Sequence, residues 1–309
     1  MTRGPAYNFL MRILLTNDDG IHAWGLRALY NELKKHGDVW VVAPLEERST
    51  TGHSLTIHKP LRIIPVSERF YAVSGSPADC VYLGMRQVCK KPDLIISGIN
   101  RGANLGQDVY YSGTVSAARE ACIFQVPSMA VSLSVDFKTT RPDPALHFES
   151  AAKIALNVLK NIDLRDVPQH TFLNLNVPDL PIKKIKGIEL THQGFRFYSG
   201  SILRRKDHRG KDYYWVGGQY RGFRRDLGSD CAAVEAGYAS LTPLKLDSTD
   251  IQYLTSFVKG AKNEGCSGGC DGECGRDCSH GAGGCDENCD CTPSGRNNSR
   301  KAGNRRKKS

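Results

Sequence analysis

The chain has 309 residues, 40% hydrophobic and 24% charged, which is enough to bury the core of one large domain or two small ones. No apolar run approaches the roughly 20 residues that cross a bilayer, and the N-terminus lacks the basic, apolar and small-residue succession of a secretory signal, so the sequence reads as cytoplasmic with no membrane partner. The net charge of +10 does not mark the fold as nucleic-acid-binding, because much of it is terminal: Ser294 to Ser309 holds seven Lys or Arg and no acid.

In chain order, residues 1–10 read as an N-terminal extension, residues 11–260 as the main domain and residues 261–309 as a tail. The first strand, Arg12 to Thr16, runs straight into Asn17-Asp18-Asp19-Gly20. Asn, Asp and Gly together are ordinary turn and cap chemistry, and alone the pair would be read so. Yet ligands of open parallel sheets gather beyond the carboxyl ends of strands. Two carboxylates there repel each other unless a cation or a shared proton relieves them.

Further short Val/Ile/Leu runs at Asp38 to Ala43, Leu94 to Ser97 and Ser128 to Leu133 alternate with stretches of helical spacing at Trp24 to Lys35, Ala78 to Val88 and Val115 to Phe124. That alternation predicts βαβ units and a doubly wound, mostly parallel α/β sheet. Another helix is expected at about Ala145 to Leu159. From Thr171 to Tyr220 the pattern shifts to strands and turns rich in Arg, Tyr and Gly, read as a protruding β arm used for oligomer contacts.

Three strand ends are rich in oxygen. The first offers Asp18 and Asp19, the second leads to Ser49 and His53, and the third leads to Asn100. Carboxylate, hydroxyl and amide oxygens suit magnesium or manganese, whereas zinc favours Cys and His. The third loop continues to Ser112-Gly113-Thr114 at the start of a helix. Unpaired N–H groups, the positive end of the dipole and two hydroxyls make an anion site there, although Ser or Thr also serves as a plain N-cap. A cation and an anion site on one rim suggest metal-assisted attack of water on a phosphate ester. In such a scheme Asp18 or Asp19 accepts the water's proton. His53 is a candidate general acid, since imidazole exchanges protons near neutral pH; its competing reading is a hydrogen-bonded structural residue. Neither a phosphate loop with Gly-Lys nor a dinucleotide Gly-x-Gly-x-x-Gly occurs.

Ile13-Leu-Leu-Thr-Asn-Asp-Asp-Gly-Ile21, the Ala43-Pro44…Glu47-Arg48-Ser49 loop and Ser97-Gly-Ile-Asn100…Tyr111-Ser-Gly-Thr-Val-Ser-Ala-Ala118 resemble the SurE family, a likeness that runs from about Met11 to Val258. The resemblance implies a Rossmann-like, metal-dependent phosphatase of nucleoside 5′- and 3′-monophosphates, with some action on short polyphosphate, assembled as a homodimer or homotetramer. It places one divalent cation per subunit on Asp18, Asp19, Ser49 and Asn100, and the substrate phosphate on Asn104, Ser112, Gly113 and Thr114.

The tail departs from that pattern. Cys266, Cys270, Cys274, Cys278, Cys285, Cys289 and Cys291 fall within 26 residues. Such thiol density suggests a soft metal, zinc or copper(I), but without paired Cys-x-x-Cys spacing no defined finger is expected. The competing reading is a disordered, low-complexity extension. The run Arg296 to Lys308 could hold a polyanion weakly. These features carry the alternative function: a metal- or nucleic-acid-binding protein with a vestigial phosphatase core.

Overall fold

The computed structural model describes residues 11–136, 138–163 and 166–264, without the side chains of 258–264. The extension and the Cys-rich, basic tail therefore lie outside the described residues. The chain divides into two units, one ending at Ser248 and the other beginning at Thr249.

The elements run β1 (Arg12–Thr16), α1 (Trp24–Leu33), β2 (Asp38–Pro44), β3 (Ile63–Ser67), β4 (Phe70–Val73), α2 (Pro77–Leu83), β5 (Leu94–Arg101), α3 (Gly113–Ile123), β6 (Ser128–Ser134), α4 (Phe148–Asn161) and β7 (Thr171–Pro178). They continue with β8 (Ile188–Leu190), β9 (Arg196–Tyr198), β10 (Ser201–Lys206), β11 (Asp212–Gly217), β12 (Tyr220–Phe223), α5 (Asp230–Glu235) and β13 (Ala239–Lys245). The second unit carries α6 (Ile251–Glu264).

Nine strands form one sheet in the order β3-β4-β2-β1-β5-β6-β7-β13-β8, parallel except where β3 joins β4 and β13 joins β7. Alternation along each strand builds two cores. Ile13 and Leu15 of β1 pack with Leu26, Leu29 and Leu33 of α1 and Ile154 and Val158 of α4. Leu14 between them packs on the other face with Val42, Ile95, Cys80 and Val81 of α2, and Ala117 and Ala121 of α3. The chain leaves β1 toward β2 on one side and reaches β5 on the other, so the strand order reverses between β1 and β5. That reversal opens a crevice at their carboxyl ends.

The doubly wound, mostly parallel sheet is the architecture the alternation predicts, with local differences. The helix expected to end at Val88 stops at Leu83 and continues as a π-helical turn over Gly84–Val88. A short 3-10 turn, Asp143–Ala145, precedes α4, which begins at Phe148 rather than Ala145. The β arm is narrower than expected: β7 and β8 belong to the main sheet, and the strands outside it are the antiparallel pairs β10–β11 and β9–β12.

Candidate active site

At the end of β1 the Asn17 side chain donates to the Gly20 carbonyl at 2.9 Å. Gly20 has a φ of 96°, which only glycine adopts at little cost. The turn leaves Asp18 4% exposed. Its carbonyl accepts the Arg48 N–H at 2.7 Å, tying the loop after β2 to the loop after β1, and its carboxylate accepts the Thr114 hydroxyl. Gly113 makes that approach possible, because a Cβ there would lie 2.8 Å from Asp18 Cβ and 2.9 Å from its Oδ2. Asp19 Oδ2 accepts the Arg101 N–H at 3.2 Å.

Burial pushes the Asp18 carboxyl above its ordinary range, opposed by the Thr114 hydrogen bond. Asp19 is pushed up to about 7, first by burial and then by the neighbouring Asp18 charge, with Glu47 and Asp143 adding to the effect. The Arg101 N–H opposes it too weakly. The site thus holds negative charge that the protein's own groups do not neutralise, which is the electrostatic condition for binding a cation.

Asp18, Asp19, Ser49, Asn100, Asn104 and Ser112 all line one cleft of about 960 Å³. Ser49 donates its hydroxyl to Glu47 at 2.5 Å. Asn100 donates its amide nitrogen to the Gly102 carbonyl at 2.9 Å, leaving the amide oxygen for a cation. Among the described residues no group of three or more His, Cys, Asp and Glu forms a metal site; a cation here would draw on the Asp18 and Asp19 carboxylates supplemented by neutral oxygens. That hard, oxygen-only donor set fits a divalent ion of the magnesium type.

Ser112 caps α3, accepting the Val115 N–H at 3.1 Å. Thr114 is fully buried, and both its hydroxyl and its backbone N–H are turned to the Asp18 carboxylate rather than left for an anion. His53 does not line the cleft. Its Nε2 lies 2.7 Å from Oε2 of Glu120, a buried residue of α3.

The cleft also contains Glu47, Asp108, Asp143, Trp24, Tyr111 and Tyr198, which sequence reasoning did not single out. Asp108 accepts from buried Arg196 at 2.6 Å and from the Tyr198 hydroxyl at 2.5 Å. These partners are about ninety residues away, and no local pattern announces them.

The family model described as survival protein SurE matches residues 13–200. The 5′-nucleotidase SurE of Geotalea daltonii is 47% identical over 241 residues, 78% of this chain and 95% of the relative. The protein of the same name from Vibrio campbellii is 41% identical over 82% of this chain and 96% of its own length. A crystal structure of the SurE protein from Aquifex aeolicus superposes with a TM-score of 0.69 at 41% identity, covering 81% of this chain and 99% of that one. With the fold, the strand-end motifs and near-complete coverage of these relatives in agreement, this chain belongs to the SurE family.

Proposed function

We propose that the cleft is the active site of a metal-dependent phosphatase that hydrolyses nucleoside 5′-monophosphates, and 3′-monophosphates and short polyphosphate as well, to release phosphate. The observation that carries this reading is the pairing of buried Asp18 with half-buried Asp19 at the switch point between β1 and β5, Asp18 facing the start of α3. The names of the relatives add the nucleotide.

Asp18, Asp19, Ser49 and Asn100 would hold the cation, magnesium or manganese. When bound, it polarises the phosphoryl group and lowers the pKa of a water molecule. Asn104, Ser112 and the backbone N–H of Gly113 orient the phosphate and stabilise the charge that grows on its oxygens, while Thr114 holds Asp18. An Asp18 or Asp19 oxygen takes the proton of the attacking water as the ester P–O bond breaks. The His53–Glu120 contact supports a structural role for His53, so the leaving nucleoside oxygen takes its proton from solvent.

The exposed apolar residues of β10–β11 support a homodimer or homotetramer built through that arm. No described helix is long and apolar enough to cross a membrane, and we assign the protein to the cytoplasm. The binding-protein alternative is not favoured, since the relatives covered nearly whole by this chain are 5′-nucleotidases.

The test is phosphate release from a panel of nucleoside monophosphates and short polyphosphate, with magnesium or manganese and with chelator. Release that needs the cation and is lost in Asp19→Ala is expected; no release from any substrate overturns the reading.

A further inference from the structure

Asn174 and Asn176 sit fully buried on β7, inside the nine-stranded sheet. They alternate with Leu173, Leu175 and Val177, which belong to the core shared with α1 and α4, so both amides lie on the opposite face. Asparagine is a poor strand former and costly to bury unless its amide is matched. Neither amide serves the sheet. The Nδ2 groups of Asn174 and Asn176 both donate to the Asn104 carbonyl, at 2.9 and 3.0 Å. Asn176 Oδ1 accepts the Asn104 N–H at 2.8 Å. On the neighbouring strand β6, Ser132 Oγ accepts from the Asn104 side-chain amide at 2.8 Å.

The Asn104 N–H and both lone pairs of its carbonyl are therefore committed to β7, although Asn104 belongs to an irregular loop. Among the described residues Asn174 Oδ1 is left buried with no partner, a cost that an apolar residue at this position would avoid. Asn104 itself is 6% exposed and lines the cleft. Its side-chain nitrogen carries two hydrogens, and Ser132 takes one.

We infer that Asn174, Asn176 and Ser132 are positioning residues for the nucleotidase reaction: they form a cradle that fixes Asn104 so that its remaining amide hydrogen meets a phosphate oxygen. This inference rests on the phosphatase reading of the cleft. A preset donor binds phosphate without first ordering its loop, so the cradle acts on phosphate affinity more than on the chemical step.

A double-mutant cycle on the full chain with its divalent cation tests it, reading the Ki of inorganic phosphate against nucleotide hydrolysis, the nucleotide KM and kcat. Asn176→Ala is expected to raise Ki and KM about tenfold, on the scale of one misplaced hydrogen bond, with a smaller change in kcat. Asn104→Ala should do the same, and the double variant should be no worse than Asn104→Ala alone. Effects that multiply in the double variant, or a fall in kcat with unchanged Ki, overturn the cradle. If Asn176→Ala fails to fold, Ser132→Ala replaces it: a several-fold rise in Ki that vanishes in the Asn104→Ala background supports the cradle, and an unchanged Ki overturns it. Calorimetric titration with inorganic phosphate reads the same cycle without turnover. Absence of turnover with phosphate binding intact therefore counts against the phosphatase reading alone, whereas Asn104→Ala with unchanged phosphate binding removes the inference.

Discussion

In the cleft, Asp18 is 4% exposed and presses against the start of α3, whereas in the β10–β11 arm Trp215 and Val216 stand 63% and 86% exposed. Each region carries a cost that the single chain leaves uncompensated. The cleft buries like charges beside each other, and the arm holds apolar side chains in water on a two-stranded hairpin, a unit that is marginally stable by itself. Groups so placed are understood by asking what would relieve them: a cation in the first case, a second apolar surface in the second. The two regions also meet, since Val216, Gly217 and Gly218 line the same cleft as Asp18 and Asp19.

The largest effect is expected from Asp19→Asn. It removes a proposed cation ligand and should lower cation-dependent phosphate release by about a thousandfold, several kcal/mol of transition-state stabilisation. The same change relieves the repulsion on Asp18, so the cation-free variant should melt above the cation-free parent. Calorimetry and phosphate release on the two proteins check both halves. Lower stability together with lower activity would mean that the pair is a structural feature of the turn and not a site held under electrostatic strain.

The arm gives the next test. Trp215→Asp places a charge on a surface proposed to be covered by another copy. Sedimentation should show the assembly breaking to a smaller species, and because the arm's base lines the cleft, KM should rise about tenfold while the melting of the main domain changes little. A parent that is already monomeric, or a variant with unchanged mass, would leave the arm's exposure unrelated to self-association.

How far these regions could be foreseen follows from how local their causes are. The Asp18–Asp19 pair, the strand that delivers it and the helix start at Ser112 are written in contiguous residues, and the structure places them on one rim. Apolar alternation marked β1, β2, β5 and β6, since each is a short run between turn residues. The strands β3 and β4 escaped, β3 because it is largely exposed and β4 because it is only four residues long. So did the Asn104 cradle and the Arg196–Asp108 pair, whose partners are brought together only by the order of strands in the sheet. The fate of the Thr114 hydroxyl also depends on a close approach between two loops that no spacing encodes.

The charge pair in the cleft should also make stability depend on pH. Asp19 is pushed to about 7 from an ordinary 3.8, so between those values the folded, cation-free protein holds a proton that the unfolded chain releases. The resulting stability is fully present below about 4 and is lost as pH rises through about 7. Melting of the chelator-treated protein should therefore fall across pH 4 to 7 relative to Asp19→Asn, and saturating magnesium should flatten that relative slope. Proton and cation compete for the same carboxylate, so cation affinity should rise by up to about tenfold per pH unit in this window and level off above it. A melting difference between cation-free parent and cation-free Asp19→Asn that stays constant from pH 4 to 7 would contradict the raised Asp19 value.

The smallest catalytic effect is expected at His53. Its ring faces Glu120, 67 positions later in sequence and almost wholly buried on α3, the helix whose first turn carries Gly113 and Thr114. Removing the imidazole leaves the Glu120 carboxylate without this partner inside the protein, which should cost about 1–3 kcal/mol of stability. Turnover is a different matter. The ring does not line the cleft, so His53→Ala should keep kcat within about threefold of the parent, and the shape of its pH–rate profile should not change. A general acid would behave in the opposite way, losing a limb of that profile and at least about a hundredfold in rate while stability hardly moved. Measuring melting and the pH–rate profile on one preparation therefore separates the two roles, and loss of the limb would return His53 to the chemistry despite its contact with Glu120.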